Sequence, residues 1–476
     1  MSRIGSGWRK CMVLVGVLAL VVPLLFVFAA PVSAAGTIRV DGDAAGCVGT
    51  SGQGDPYGVV YCKIQDAVTD AKPGDTVHVY PRTGAYNESV NLSSMSTQVD
   101  LTLITVNAAG VPTPGTVQVH YEGPDAEIRT QTAFNGDVTI DGFIVYSDAS
   151  GIDVEVEGAG SVDRNLVIRN VTATGTGNNG IEAEADGDVT ISNCEANDNT
   201  HGNGNGIIVK DTGGNVTIVN CRASGNSDRG IWVSNVYGTV TIGNCTANAN
   251  TSAGFFAVGL YGPLQISSCV FTSNEVGVLF DELTEADKVQ VNGSIICDNS
   301  SYGLEADQTA NIDAEGNWWG CAAGPNDPGG SCDLVNQGPS IVDFTPWIDT
   351  ITVSAPTSAM AGEPAPVTVQ FSDSAQTVFL GQGPGDLHGD PTFVVSTDNG
   401  TVVDPGFINE PQGVLAATFI PAFGGTATVI VDGPCGLDAV VALGTWEFVP
   451  EPGTVLLLGS GLMGLAGYAG LRLRKR

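Results

Sequence analysis

VTISNCEANDN at 189–199, VTIVNCRASGN at 216–226 and VTIGNCTANAN at 240–250 are one motif written three times. LQISSCVFTSN from Leu264 is a fourth strong copy, and weaker ones begin at Val138 (VTIDGFIVYSD), Leu166 (LVIRNVTATGT) and Val289 (VQVNGSIICDN), a period of about 24 residues. Each strong copy is followed by a glycine and a second short strand: GIEAEA at 180, GIIVKD at 206, GIWVSN at 230, GFFAVG at 254, GVLFDE at 277 and GLEADQ at 303. Short alternating runs broken by Asn or Gly leave no room for a helix in most repeats. Strands of this length cannot bury a face alone, so the repeats must stack. The expected fold is all-β, a right-handed parallel β-helix with one coil per repeat. Ten or so coils at ~4.8 Å would make a rod of roughly 50 Å.

The recurring residues support stacking. Asn170, Asn193, Asn220 and Asn244 share one turn, and Asn199, Asn226, Asn250, Asn274 and Asn299 share another. Asn tolerates the left-handed backbone of a sharp bend, and stacked amides hydrogen-bond up and down a ladder. Cys194, Cys221, Cys245 and Cys269 occupy one register and should form an inward column. Ligands in a line, one coil apart, cannot make a tetrahedron, so they read as small buried core residues and no metal site is expected. Whether adjacent pairs oxidise is open.

Both ends of the chain differ from the repeats. Arg3, Arg9 and Lys10 precede an apolar stretch from Met12 to Ala30 and then PVSAAG, which reads as a secretory signal at 1–34, cut after Ala34 or Ala35. An uncleaved anchor is the alternative. At the other end, Thr454 to Leu471 is eighteen residues without a charge, followed by Arg472, Arg474, Lys475 and Arg476. That is just long enough to cross a bilayer as a helix, with the cations left on the cytoplasmic side. Seven of the 18 basic residues lie in these two segments, which leaves 11 against 50 acidic ones (all 51 but Glu451), a net charge of −39. Nucleic acid is therefore not an expected partner. Ten cysteines remain after the signal leaves with Cys11, which fits an oxidising compartment.

A coil stack needs capped ends. KIQDAVTDA at 63–71 puts Ile64, Ala67, Val68 and Ala71 on one helical face and forms a plausible cap, stopped by Lys72-Pro73-Gly74. At the far end stands NWWGCAAGPNDPGGSCDLVNQGPSIVDFTPWI, residues 317–348. The IQDAVTDAKPGDTV opening, the repeats and the NWWG-C…GP…C…DFTPW ending resemble bacterial secreted right-handed β-helix surface proteins of the pectin-lyase-like kind, over about residues 60–348. With that likeness, Trp318 and Trp319 would close the core, and disulfides are expected for Cys321–Cys332 and for Cys47–Cys62. Cys297 and Cys435 are left without assigned partners.

The β-helix with its cap is placed at 35–340. From 341 to 448 the period vanishes, and strand-like runs separated by Pro, Gly and Asp turns suggest an immunoglobulin-like β-sandwich. Residues 449–476 resemble the PEP-CTERM sorting signal: Pro450, Glu451 and Pro452 match its motif, the apolar span follows, and the basic tail closes it. The resemblance implies recognition by an exosortase, a membrane Cys protease-transpeptidase of Gram-negative bacteria that make exopolysaccharide. The span would hold the chain transiently in the inner membrane before release to the cell surface. A permanent anchor is the competing reading.

For a binding site, alternation in the Gly-led strands sends Ile181, Ile207, Ile231, Phe255, Val278 and Leu304 inward. Glu182, Ile208, Trp232, Phe256, Leu279 and Glu305 then face out, with Glu184, Lys210, Ser234, Val258, Asp281 and Asp307 in the next outward column. Lys210, Trp232, Phe256, Glu182 and Glu184 form a candidate glycan platform, and the alternative is a dock for a loop or for the sandwich. Glu182 and Glu184, ~7 Å apart on one face, have the separation of an inverting glycosidase pair. Lyase chemistry needs a base; Lys210 and Arg229 are the basic residues near this face, and no Asp cluster is expected beside them. The GHG and RIK-type motifs of β-helix galacturonidases are missing, and His201 lies in a turn. No catalytic residue is assigned. The expectation is a non-catalytic surface or matrix protein that binds polysaccharide or a partner, with a divergent polysaccharide lyase, epimerase or hydrolase as the alternative. No cofactor is expected, although D/N/G turns such as DGDAAG at 41–46 leave calcium open.

Overall fold

The computed structural model describes residues 35–95, 100–158, 163–200, 202–283, 289–307, 310–327, 330 and 332–349, and beyond these the backbone of the strands between 350 and 446 together with Cys435. The expected signal at 1–34, the sorting segment at 449–476 and His201 lie outside the described residues. Among the described residues, no helix is long and apolar enough to cross a membrane.

The VTI segments stack as expected. They belong to a parallel sheet of thirteen strands, here the wide face, that runs up to Ile341–Asp343. The Gly-led segments form a second parallel sheet of ten strands, from Val90–Asn91 to Val335–Asn336. A narrow third face joins them. Its middle is a run of single parallel bridges, Thr172 to Glu195 to Arg222 to Thr246 to Val270. The three faces together make a β-helix of about ten turns.

Period-two alternation explains the core. Val189 and Ile191 pair in register with Val216 and Ile218, and these with Val240 and Ile242; all are fully buried. From the second sheet, Ile181, Ile207, Ile231, Phe255, Val278 and Leu304 fill the same interior at 0 % exposure. Each such side chain contributes ~1.5–3 kcal/mol relative to leaving it in water. Cys194, Cys221, Cys245 and Cys269 line the narrow face from inside, all buried and all free thiols.

The two asparagine rows differ. Asn170, Asn193, Asn220 and Asn244 do adopt left-handed backbone, φ 51–55°. Their amides form a ladder pointing back along the chain: Asn193 donates to Asn170 at 3.3 Å, Asn220 to Asn193 at 3.2 Å and Asn244 to Asn220 at 3.2 Å. In the second row the left-handed residue is the one before, at Asp198, Gly225, Ala249, Ser273 and Asp298. There the asparagines serve the inside of the bend instead. Asn226 donates to Asn250 at 2.9 Å and Asn250 to Asn274 at 3.0 Å, while the same carbonyl oxygens accept the backbone N–H groups. Asp333 ends this row by accepting from Asn299 at 2.7 Å.

The first cap is helix α1, Ile64–Asp70, which buries Ile64, Ala67 and Val68. Its open N-terminus is closed by Glu88, whose two oxygens accept from Ile64 N and Gln65 N at 2.9 Å each. At the far end Trp319 enters the core at 0 % exposure, but Trp318 does not share that role. It bridges to Ile295 on the outward row of the narrow face, because adjacent strand residues point to opposite sides. Disulfides join Cys47 to Cys62 and Cys321 to Cys332. A third joins Cys297 to Cys435, which ties the last strands of the chain to the β-helix. Those strands form two antiparallel sheets: Thr350–Ser354, Ala365–Ser372, Val414–Pro421 and Gly400–Glu410 in one, and Val394–Thr397, Gly425–Asp432 and Ala439–Trp446 in the other.

Candidate functional site

The outward rows of the Gly-led sheet are in register, so sequence spacing becomes a surface. One row reads Arg129, Asp153, Glu182, Ile208, Trp232, Phe256, Leu279, Glu305. The neighbouring row reads Glu155, Glu184, Lys210, Ser234, Val258, Asp281.

Lys210 gathers the carboxylates. Its Nζ lies 2.7 Å from Glu182 Oε1 and 2.7 Å from Glu184 Oε1. The other oxygen of Glu182 accepts from Asn179 Nδ2 at 2.9 Å. Asp153 and Glu155 stand one coil below Glu182 and Glu184. An acidic cluster thus sits beside Lys210, with Asp153 the aspartate that strand register brings to it. The strand that brings it, Ile152–Val156, is 29 residues before its partner Ile181–Ala185, outside the 24-residue period. Burial first, then the charge on Glu182, pushes Asp153 up to about 6. Burial also raises Glu184 in spite of the ammonium beside it. For Lys210 burial works against the charge, but the hydrogen bonds it donates to Glu182 and Glu184 outweigh it and lift the lysine above its usual range. Lys210 is therefore a fixed cation. It bridges two carboxylates and is not available to take a proton from a substrate.

The aromatic row is covered. Arg229 places its guanidinium 4.8 Å from the Trp232 ring centre and 4.4 Å from that of Phe256, while its Nη1 pairs with Asp228 at 3.0 Å. The two rings are tilted, 6.2 Å apart. Ile208 is 2 % exposed and Phe256 8 %, with Trp232 half-buried. This row is packed as an interior is packed, and it does not offer a broad open ring surface.

The remaining candidates are apart from the cluster. His78 lies on a wide-face strand and His120 on the narrow face, and each stands on its own coil. In the DGDAAG turn, Asp41 pairs with Arg39 at 2.8 Å and Asp43 accepts from Thr83 N at 2.6 Å. Cys321, Asp327 and Cys332 bring donor atoms within 4.8 Å of one another, but the two sulfurs are joined in a disulfide. Spacing alone suggested Glu182, Glu184 and Lys210. The parts it missed, Asp153 and the Arg229 cover, depend on coil lengths and on a side chain reaching over from a turn.

Two family models match the chain. Residues 128–282 match the right-handed β-helix region, and residues 448–475 match the PEP-CTERM protein-sorting motif. The first covers the coils that carry the cluster, the first asparagine ladder and the second as far as Asn274. The second covers Pro450, Glu451 and Pro452 and implies processing by an exosortase. No curated protein matches the chain.

Proposed function

We propose that this chain is an exported, non-catalytic surface or matrix protein whose β-helix presents its outer faces to polysaccharide or to a partner. The observation that carries the reading is the sorting motif at 448–475 placed after a β-helix. In this account residues 1–34 are the signal peptide and 35–340 the β-helix. The antiparallel sheets within 341–448 form an immunoglobulin-like spacer, and 449–476 holds the chain in the inner membrane until exosortase removes it. The Pro450–Pro452 pair keeps the cleaved segment extended and accessible.

The site chemistry supports a binding role over turnover. A lyase needs a basic group free to accept a proton, and Lys210 is held charged between Glu182 and Glu184 at 2.7 Å. A glycosidase pair needs one protonated and one ionised carboxyl with room between them, and the space between Glu182 and Glu184 is taken by the Lys210 ammonium.

Mass spectrometry of the mature protein tests delivery: the N-terminus should fall at Ala35 or Gly36 and the C-terminus near Pro452. An intact Arg476 would mean a stable anchor and sink the sorting account. Incubation with acidic polysaccharides should release no unsaturated uronate; ultraviolet absorbance from that product would overturn the non-catalytic reading.

A further inference from the structure

One corner of the β-helix exposes two tyrosine rings, with the carboxylates of Asp211 and Glu282 at its edges. Tyr237 and Tyr261 sit at equivalent places on successive coils, where the chain leaves a Gly-led strand for the wide face. Their backbone N–H groups bond to the coil before, Tyr237 to Thr212 O at 3.0 Å and Tyr261 to Val236 O at 2.9 Å. The rings stack with centroids 4.6 Å apart and planes 7° from parallel. They nevertheless stay 64 % and 43 % exposed. The coil before Tyr237 has Gly213 at the matching position, so that residue sets no side chain against the outer ring face.

An uncharged polar row continues past the tyrosines. Thr239 and Pro263 follow them at the turn, and the outward positions of three successive wide strands are Thr217, Thr241 and Gln265. None of these carries charge, in a chain whose formal net charge is −33. Pro263 and Gln265 also begin an open groove of about 530 Å³ that runs past Gln290 to Ile341, where Asp313 and Asp343 line its far end.

These features select a ligand. A polyanion is repelled by the molecule as a whole, and a cationic partner is drawn to its acidic faces. A neutral pyranose has an apolar C–H face that suits a flat phenol ring and hydroxyls that suit the threonine and glutamine row. We propose that this corner is the polysaccharide-binding surface and that its ligand is a neutral glycan. The glycan stacks on the Tyr237–Tyr261 pair and is hydrogen-bonded along the Thr217–Thr241–Gln265 row toward the groove. The proposal rests on the polysaccharide-binding reading above and narrows it to one face and one class of sugar.

Native affinity gels of the exported protein test it, with hydroxyethyl cellulose and laminarin as neutral probes and polygalacturonate and alginate as acidic ones. A neutral gel should retard the wild type, and it should equally retard the Tyr146→Ala control, which removes an exposed ring on another face. The double variant Tyr237→Ala/Tyr261→Ala should bind on the order of tenfold more weakly or worse, at an unchanged melting temperature. Tyr237→Phe/Tyr261→Phe should restore binding, because stacking needs the ring and not the hydroxyl. Retardation by acidic gels alone, or undiminished binding of the alanine variant, would overturn this assignment and leave glycan binding standing elsewhere on the molecule. Free migration in every gel would remove the polysaccharide reading itself, and this proposal with it.

Discussion

At the residue scale, the two asparagine rows look alike in sequence and differ in what they do. Asn220 is needed for its backbone: at φ 55° a glycine fits as well as asparagine. Asn250 is needed for its amide, which donates to Ala223 O and Asn274 Oδ1 and accepts from Asn226. Asn220→Gly should cost about 1 kcal/mol, since the two ladder links lost, to Asn193 and from Asn244, are half-exposed. Asn250→Gly should cost ~2–4 kcal/mol, because the buried Asn226 donors lose their acceptor and Ala223 O and Asn274 Oδ1 lose a donor. Urea denaturation of the two variants decides, and equal losses would show that both rows play one role. The cysteine column makes a second residue-level prediction. All four thiols are 0 % exposed, which shuts out a reagent; burial raises Cys221 and Cys269, while at Cys245 between them hydrogen bonds with those two outweigh burial and lower it. Iodoacetamide should therefore label no cysteine of the folded mature protein, and four after denaturation without reductant.

At the element scale, alternation was legible and its consequences were reliable. The inward set of the Gly-led strands follows from period two alone, whereas the outward placement of Trp318 departs from the expectation that both tryptophans close the core. What alternation could not say is how exposed an outward residue is. Ile208 and Phe256 face out and are still buried, Phe256 beneath the Arg229 guanidinium. Helix α1 shows the same limit: its apolar face was visible, but the group that closes its N-terminus, Glu88, lies 24 residues from Ile64. The carboxylate meets the positive end of the helix and satisfies two N–H groups. Glu88→Ala should cost about 1–2 kcal/mol and loosen this end of the rod first. Hydrogen exchange should show faster exchange at Ile64 and Gln65 than in the middle coils; uniform acceleration along the rod would argue against a local cap.

At the scale of the whole molecule, charge and covalent ties dominate. Burial holds several carboxyls above their ordinary values: Asp153 at about 6, Asp333 at about 6 and Glu127 at about 7. The folded state therefore binds these protons more tightly than the unfolded state does. The stability they supply is fully present below about pH 4 and is lost as pH rises through 6 to 7. The melting temperature should be higher near pH 5 than near pH 8, and Asp153→Asn should raise it at pH 8 with little effect at pH 5. A melting curve that shifts equally at both would refute the assignment. The Cys297–Cys435 bond encloses 138 residues of sequence separation, worth up to ~5 kcal/mol in the chain-entropy view. After limited proteolysis between the β-helix and Cys435, the two pieces should run together on a gel until reductant is added. Cys435→Ser should let them separate without it.

The sequence by itself determined the stacked β-helix, its inward columns and the sorting motif, because a short period repeated many times leaves one way to bury the same valines and isoleucines. It also pointed to export, through the sorting motif at 448–475. Only the tertiary structure decided which outward residues meet water. Coil lengths vary, so Asp153 joins Lys210 from outside the period, Arg229 reaches over Trp232 from a turn, and Tyr237 stays open above a glycine. Exposure is set by neighbours from other coils, and a linear pattern records a residue's direction but not what lies in front of it.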